Sequence, residues 1–230
     1  MKKVEIIIIC FILSLQSCKS DVKKQDIQIK QPFDLADLTL NEDINDILSS
    51  VKLSKKDTVK SDNLTYLGNE RVAFNIDKVL NFKRINLKGE SNKNNVIFHY
   101  GVVDSEIGPL FNERNNILGM YQLNIYTEIE KKTLFEVLEK TLNKPVFDTI
   151  VEGVEADIID NNIIPTKNKT KRVVSIWKKS NLIYYYFKLE TKNSPEKDIC
   201  NLFVFNNKHK EWMELLNASG YPYLDKILKN

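Results

Sequence analysis

The sequence predicts an α+β domain: an antiparallel sheet of about six strands with helices packed on one face, in an order that reads as a β-β-β-α unit used twice. Three observations carry this. Stretches of period-two hydrophobicity occur in both halves of residues 33–230, each set is closed by a stretch of helical period, and short polar turns separate neighbouring strands. Whether the two runs form a true repeat stays open, because the halves share no readable identity.

The elements follow in chain order. In "LTLNEDINDILSSVKL", Asn41 is placed to cap a short helix with Glu42 and Asp43 in its first turn, and Ile44, Ile47 and Leu48 form one apolar stripe. Residues 82–88, 95–103 and 119–129 are read as strands. In the last of these, Tyr121, Leu123 and Ile125 alternate with Gln122 and Asn124. A helix over 130–143 places Leu134, Phe135, Leu138 and Leu142 on one face and is stopped by Pro145. Residues 146–171, with Pro165 and "TKNKTK", read as an irregular connection. Strands over 172–177 and 182–189 flank "KKSN" as a hairpin, and a third strand covers 201–205. Residues 208–218 are helical, with Trp212, Leu215 and Leu216 on one side and Gly220 as the stop. Tyr221, Tyr223, Leu224, Ile227 and Leu228 are expected to dock the C-terminus as a short final helix.

The N-terminus has a different logic. Met1-Lys2-Lys3 is a short basic start, and the apolar run from Val4 to Leu15 is too short for the ~20 apolar residues of a membrane-spanning helix. It reads as a signal peptide. Leu15-Gln16-Ser17-Cys18 resembles the lipobox of bacterial lipoproteins: an aliphatic residue, a variable one, a small one, then Cys. That resemblance implies cleavage before Cys18, lipidation of the Cys18 thiol and acylation (palmitate or a similar chain) of the new amino group. Two or more chains give the stable anchoring that one does not. Lys19 follows the Cys where Asp would resemble an inner-membrane retention signal, so the outer membrane is favoured over the inner. The organisation expected is a signal peptide over 1–17, a lipidated Cys and flexible tether over 18–32, and one globular domain over 33–230. The tether's reach is on the order of 20 Å.

Removing residues 1–17 takes Lys2, Lys3 and Glu5 from 34 basic and 31 acidic side chains, which leaves 32 and 30. That near-neutral balance lacks the concentrated basic footprint of a nucleic-acid binder, and no nucleic-acid partner is expected. Of three Cys, Cys10 leaves with the signal peptide and Cys18 is lipidated, so Cys200 stands alone and no intramolecular disulfide forms. The core must hold the fold, which a domain of this size can do.

Chemistry-bearing residues are sparse. His99 and His209 have no Cys, Asp, Glu or second His at metal-ligand spacing, and the sequence has no HExxH, CxxC, GxGxxG or GxxxxGK arrangement. No catalytic residue, metal or cofactor is expected. Glu152, Glu155, Asp157 and Asp160 in "VEGVEADIID" could serve a hydrolase but read better as a solvated acidic connection. In "LIYYYFKL" both faces of a strand carry rings. There Tyr184 and Tyr186, with Trp177, are the candidate binding surface, set against the plainer reading of a core strand.

The expectation is therefore a non-enzymatic, lipid-anchored envelope protein that binds another envelope protein as an accessory, inhibitor or immunity-type factor. The alternatives are a glycan or small-ligand binder using the aromatic surface and, third, a hydrolase.

Overall fold

The computed structural model describes residues 32–59, 70–90, 92–101, 116–159 and 162–226, all within one compact unit that begins at Pro32. The lipobox residues, including Cys18, lie outside them. Nine strands are described: β1 (Glu70–Phe74), β2 (Asn81–Phe82), β3 (Ile85–Asn86), β4 (Asn95–Tyr100), β5 (Leu118–Asn124), β6 (Phe147–Ile159), β7 (Asn162–Lys179), β8 (Leu182–Thr191) and β9 (Ile199–Asn206). The α-helices are α1 (Ile44–Ser50), α2 (Glu128–Leu142) and α3 (Lys210–Ala218). The fold is α+β and dominated by one antiparallel sheet.

The sheet has seven strands in the order β1-β4-β5-β9-β8-β7-β6. It is two meanders joined where β5 pairs with β9, with Tyr121 opposite Val204. Alternation along each strand then sorts the side chains to two faces. Phe98, Tyr121, Leu123, Tyr184, Tyr186 and Trp177 point to the first face, where α1, α2 and the segment from Phe33 cover them. Met120, Ile176, Ile183, Tyr185, Phe203 and Phe205 point to the second, under α3 and Tyr221–Leu224.

The seven strands fit the expected sheet of about six; one detail differs, in that the helices are divided between the faces. The division explains why every residue of β5 is buried, Gln122 and Asn124 included. The meanders meet antiparallel, so a local two-fold axis relating them would be perpendicular to the sheet and would keep both following helices on one face. With α2 on the first face and α3 on the second, no such symmetry relates the two β-β-β-α runs.

Local chemistry sets the ends of the elements. Asp43 caps α1, its carboxylate accepting from Asn45 N–H at 2.7 Å. The expected cap, Asn41, instead donates its amide to the Thr39 carbonyl. Ile44, Ile47 and Leu48 are buried as the stripe requires. In α2, Leu134 and Leu138 are buried, and the buried Lys131 reaches Glu128 at 2.6 Å. In α3, Trp212, Met213, Leu215 and Leu216 are buried, and Gly220 follows with φ +84°. The "KKSN" hairpin forms as expected, with Lys179 opposite Leu182. Residues 82–88 do not form one strand of the seven-stranded sheet; Phe82 and Ile85–Asn86 belong to the separate two-stranded β2–β3 hairpin, turned by Lys83 and Arg84 at φ 50° and 64°. The Asp34 carboxylate compensates that left-handed backbone by accepting from both their N–H groups, at 2.9 and 2.7 Å. β1 takes the edge position in that half. The C-terminus docks through a single 3-10 turn at Leu224–Lys226, with Leu224 buried, while Ile227 and Leu228 lie outside the described residues.

A row of asparagines on the second face is mutually satisfied. Asn95, Asn124 and Asn201 stand in register across β4, β5 and β9, their amides bonded to one another, with Tyr221 donating its hydroxyl to Asn201. His99, beside Trp212 at 6.1 Å, is held neutral down to a pKa of about 4 by burial and by the nearby Arg71 charge. The unfolded chain protonates His99 near pH 6.5 and the folded protein only near 4, so acidification through that interval favours unfolding. The group has no effect above pH 6.5 and costs roughly 3 kcal/mol by pH 4. Subtracting the stability–pH curve of His99→Gln from that of the wild type is expected to isolate this slope.

Candidate protein-binding arm

The longest strands of the molecule come from the stretch that reads as loop in sequence. β6 and β7 pair from Phe147 opposite Ile176 out to Ile159 opposite Asn162. β8 accompanies β7 only as far as Thr170 opposite Thr191. Beyond that point β6 and β7 continue as a two-stranded ribbon with no third strand among the described residues. Glu152, Glu155 and Asp157 and the "TKNKTKR" bases thus belong to partner strands, with Glu152 opposite Lys171.

An isolated two-stranded ribbon is marginal in water, and this one is fastened at its root. The register shifts between Val154 and Ala156, where the single Glu155 of β6 faces three residues of β7, Thr166–Asn168, so that β7 carries the bulge. The Glu155 carboxylate accepts from Asn168 on β7 at 2.8 Å and is paired with Lys197, in the short 3-10 turn after β8. Hydrogen bonding from Lys197 and then Asn168 holds the Glu155 carboxyl below its ordinary range. Both partners therefore act on the ionised form. Of the proposed acidic set, Glu152 and Glu155 face cations in this way; the side chains of Asp157 and Asp160 lie outside the described residues.

The ribbon and its root are also where apolar surface is left over. Of nine large hydrophobic residues exposed among the described residues, six are Val146, Ile150, Val151, Val154, Ile163 and Ile164. Ile163 beside the turn is 75% exposed and Ile150 at the root 58%. These residues lie on both faces of the strands, and apolar side chains left exposed on a projecting element are the usual mark of an interface.

The aromatic residues expected to form a surface do not. Trp177 is 1% exposed, Tyr184 4% and Tyr186 2%, because α2 lies over this face and Phe135 packs its ring 5.1 Å from Tyr186 and 6.2 Å from Trp177. They are core. Only Tyr184 reaches the wall of a cavity of about 300 Å³, between residues 36–41 and the Lys179–Leu182 turn, with Asn206 also lining it.

Cys200 is buried on the same face, its thiol donating to the Tyr186 hydroxyl at 3.5 Å. Burial pushes that thiol up to about 11. At pH 8 its alkylation, read by mass spectrometry on the peptide containing Cys200, is expected to be on the order of a hundredfold slower in the folded protein than in urea. His209 sits at the N-cap of α3, 3.3 Å from Glu211. Among the described residues no three His, Cys, Asp or Glu side chains gather as a metal site, and no helix is long and apolar enough to cross a membrane.

No signal in the sequence marked the arm as an interface, apart from "VEGVEADIID" and "NNII" placing isoleucines and valines beside charges. No protein family, curated protein or solved structure matches this chain.

Proposed function

We propose that this chain is a lipid-anchored cell-envelope protein, favoured for the outer membrane, that works without a reaction of its own by holding another envelope protein on its β6–β7 arm. The observation that carries this reading is the exposed isoleucine and valine surface of the arm, which the core does not need. The lipobox-like Leu15–Cys18 supplies the location. Loss of the acyl chains releases the protein from the membrane, and loss of the arm leaves it anchored but without a partner.

The test takes the two parts separately. Cells expressing wild type and Cys18→Ala receive a fatty-acid probe, and label is expected on the wild type alone; no label on either removes the anchor. A photo-cross-linking amino acid is then placed at Ile163 and, as a control, at Lys132 on α2, whose side chain is 80% exposed. A discrete adduct from position 163 and none from 132 supports the reading. Equal or absent adducts at both positions would falsify it.

A further inference from the structure

We infer that the outer edge of β6 receives an extended segment of the partner as an added strand, and that this segment carries a basic side chain opposite Glu152 with apolar side chains two residues to either side. The inference rests on the protein-binding reading above and names the chemistry of what is bound.

The two edges of the sheet are treated differently. At the β1 edge the chain closes its own backbone: Val59 N–H donates to the Ala73 carbonyl at 2.8 Å, and Ala73 N–H donates to the Thr58 hydroxyl at 2.9 Å. β6 is the last strand at the other edge, and among the described residues nothing pairs with its outer side. Open edges are normally blunted by charged side chains, lysine above all, by proline, by bulges or by being very short. From Phe147 to Ile159 β6 has neither lysine nor proline, and it is 13 residues long. It carries instead four acids, Asp148, Glu152, Glu155 and Asp157, and no base. That charge opposes pairing with a second copy of β6 and favours a cationic strand.

Cross-strand registers say where the cation goes. On the first face Glu190 of β8 stands opposite Lys171 of β7, and Lys171 stands opposite Glu152 of β6. The row alternates acid, base, acid, and its next position, on an added strand, is one for a base. The neighbouring β6 positions on that face are Ile150 and Val154, 58% and 55% exposed, which call for apolar partners. The regular register of β6 against β7 runs from Phe147 to Val154, so the added strand pairs along Phe147–Val154. Main-chain bonds supply affinity in this mode of recognition and the alternating side chains supply selectivity.

The experiment titrates two end-capped peptides into the isotope-labelled protein, followed by amide chemical shifts: one with Val-Thr-Lys-Thr-Val at its centre, the other with glutamate replacing the lysine. The wild type is expected to bind the lysine peptide about fivefold more tightly, with shifts along Phe147–Val154, and Glu152→Lys is expected to reverse the preference. Both substitution and peptides act at an exposed position, so the fold is retained. Equal binding of the two peptides, no binding, shifts elsewhere, or self-association through β6 would overturn the inference. If adducts from position 163 persist in that case, the protein-binding reading survives without it; if those adducts are absent too, both fall.

Discussion

Replacing Trp177 with alanine is expected to lower the unfolding free energy by about 3–5 kcal/mol, the range for a large buried aromatic ring. Trp177 lies on β7, 1% exposed, with the Phe135 ring of α2 packed edge-on at 6.2 Å. Its indole N–H donates at 2.9 Å to the Asn143 carbonyl, immediately past the end of α2. The side chain thus joins strand to helix twice, once by packing and once by satisfying a carbonyl that the helix end leaves without a partner. Alanine removes the ring, opens a cavity under α2 and strands that carbonyl. Trp177→Phe keeps much of the ring and loses the hydrogen bond, so its cost is expected to be smaller. Urea unfolding reads both, as a fall in midpoint at unchanged slope. A loss below about 0.5 kcal/mol for the alanine variant is what a surface residue would give, and it would contradict this placement.

The second large effect comes from adding one methyl group. Gly119 is the second residue of β5, the one left out where the β4–β5 register shifts, and glycine within a strand weakens it and needs a reason. The reason is Trp212: a Cβ at position 119 would lie 2.4 Å from its Cζ2 and 2.7 Å from its Cε2 and Nε1. Trp212 is itself 1% exposed on α3. The ring has little room to yield, and Gly119→Ala is expected to cost about 1–3 kcal/mol through overpacking. On a Trp212→Leu background the same substitution should be nearly neutral or stabilising, since the clash is gone and alanine suits a strand better. A double-mutant cycle on the four proteins measures that coupling; additive effects would mean that the two residues do not meet.

Helical period located the three α-helices of the described residues, because Ile44, Ile47 and Leu48, Leu134 and Leu138, and Trp212, Leu215 and Leu216 have to share a face wherever the helix docks. "KKSN" was legible as a turn for an equally local reason: two apolar runs approach each other across residues suited to reversing the chain. The candidate site was not legible. On the ribbon neither face is buried, so β6 and the outer part of β7 show no period-two signal, and Pro165 with its lysines and asparagines reads as loop chemistry. What makes them strands is twelve paired positions between two segments of chain, a property of the pair and not of either segment.

The same limit governs the aromatic strand. "LIYYYFKL" shows by itself that β8 has rings on both sides. Whether a ring row is core or surface depends on what lies over it, and α2 and α3 arrive from distant parts of the chain to cover opposite faces. The sequence alone therefore determined the elements whose pattern arises from burial on one side, together with the lipobox-like start. Tertiary structure alone decided strand order, the coverage of both faces and the exposed edge of β6, because each depends on which non-adjacent segments meet.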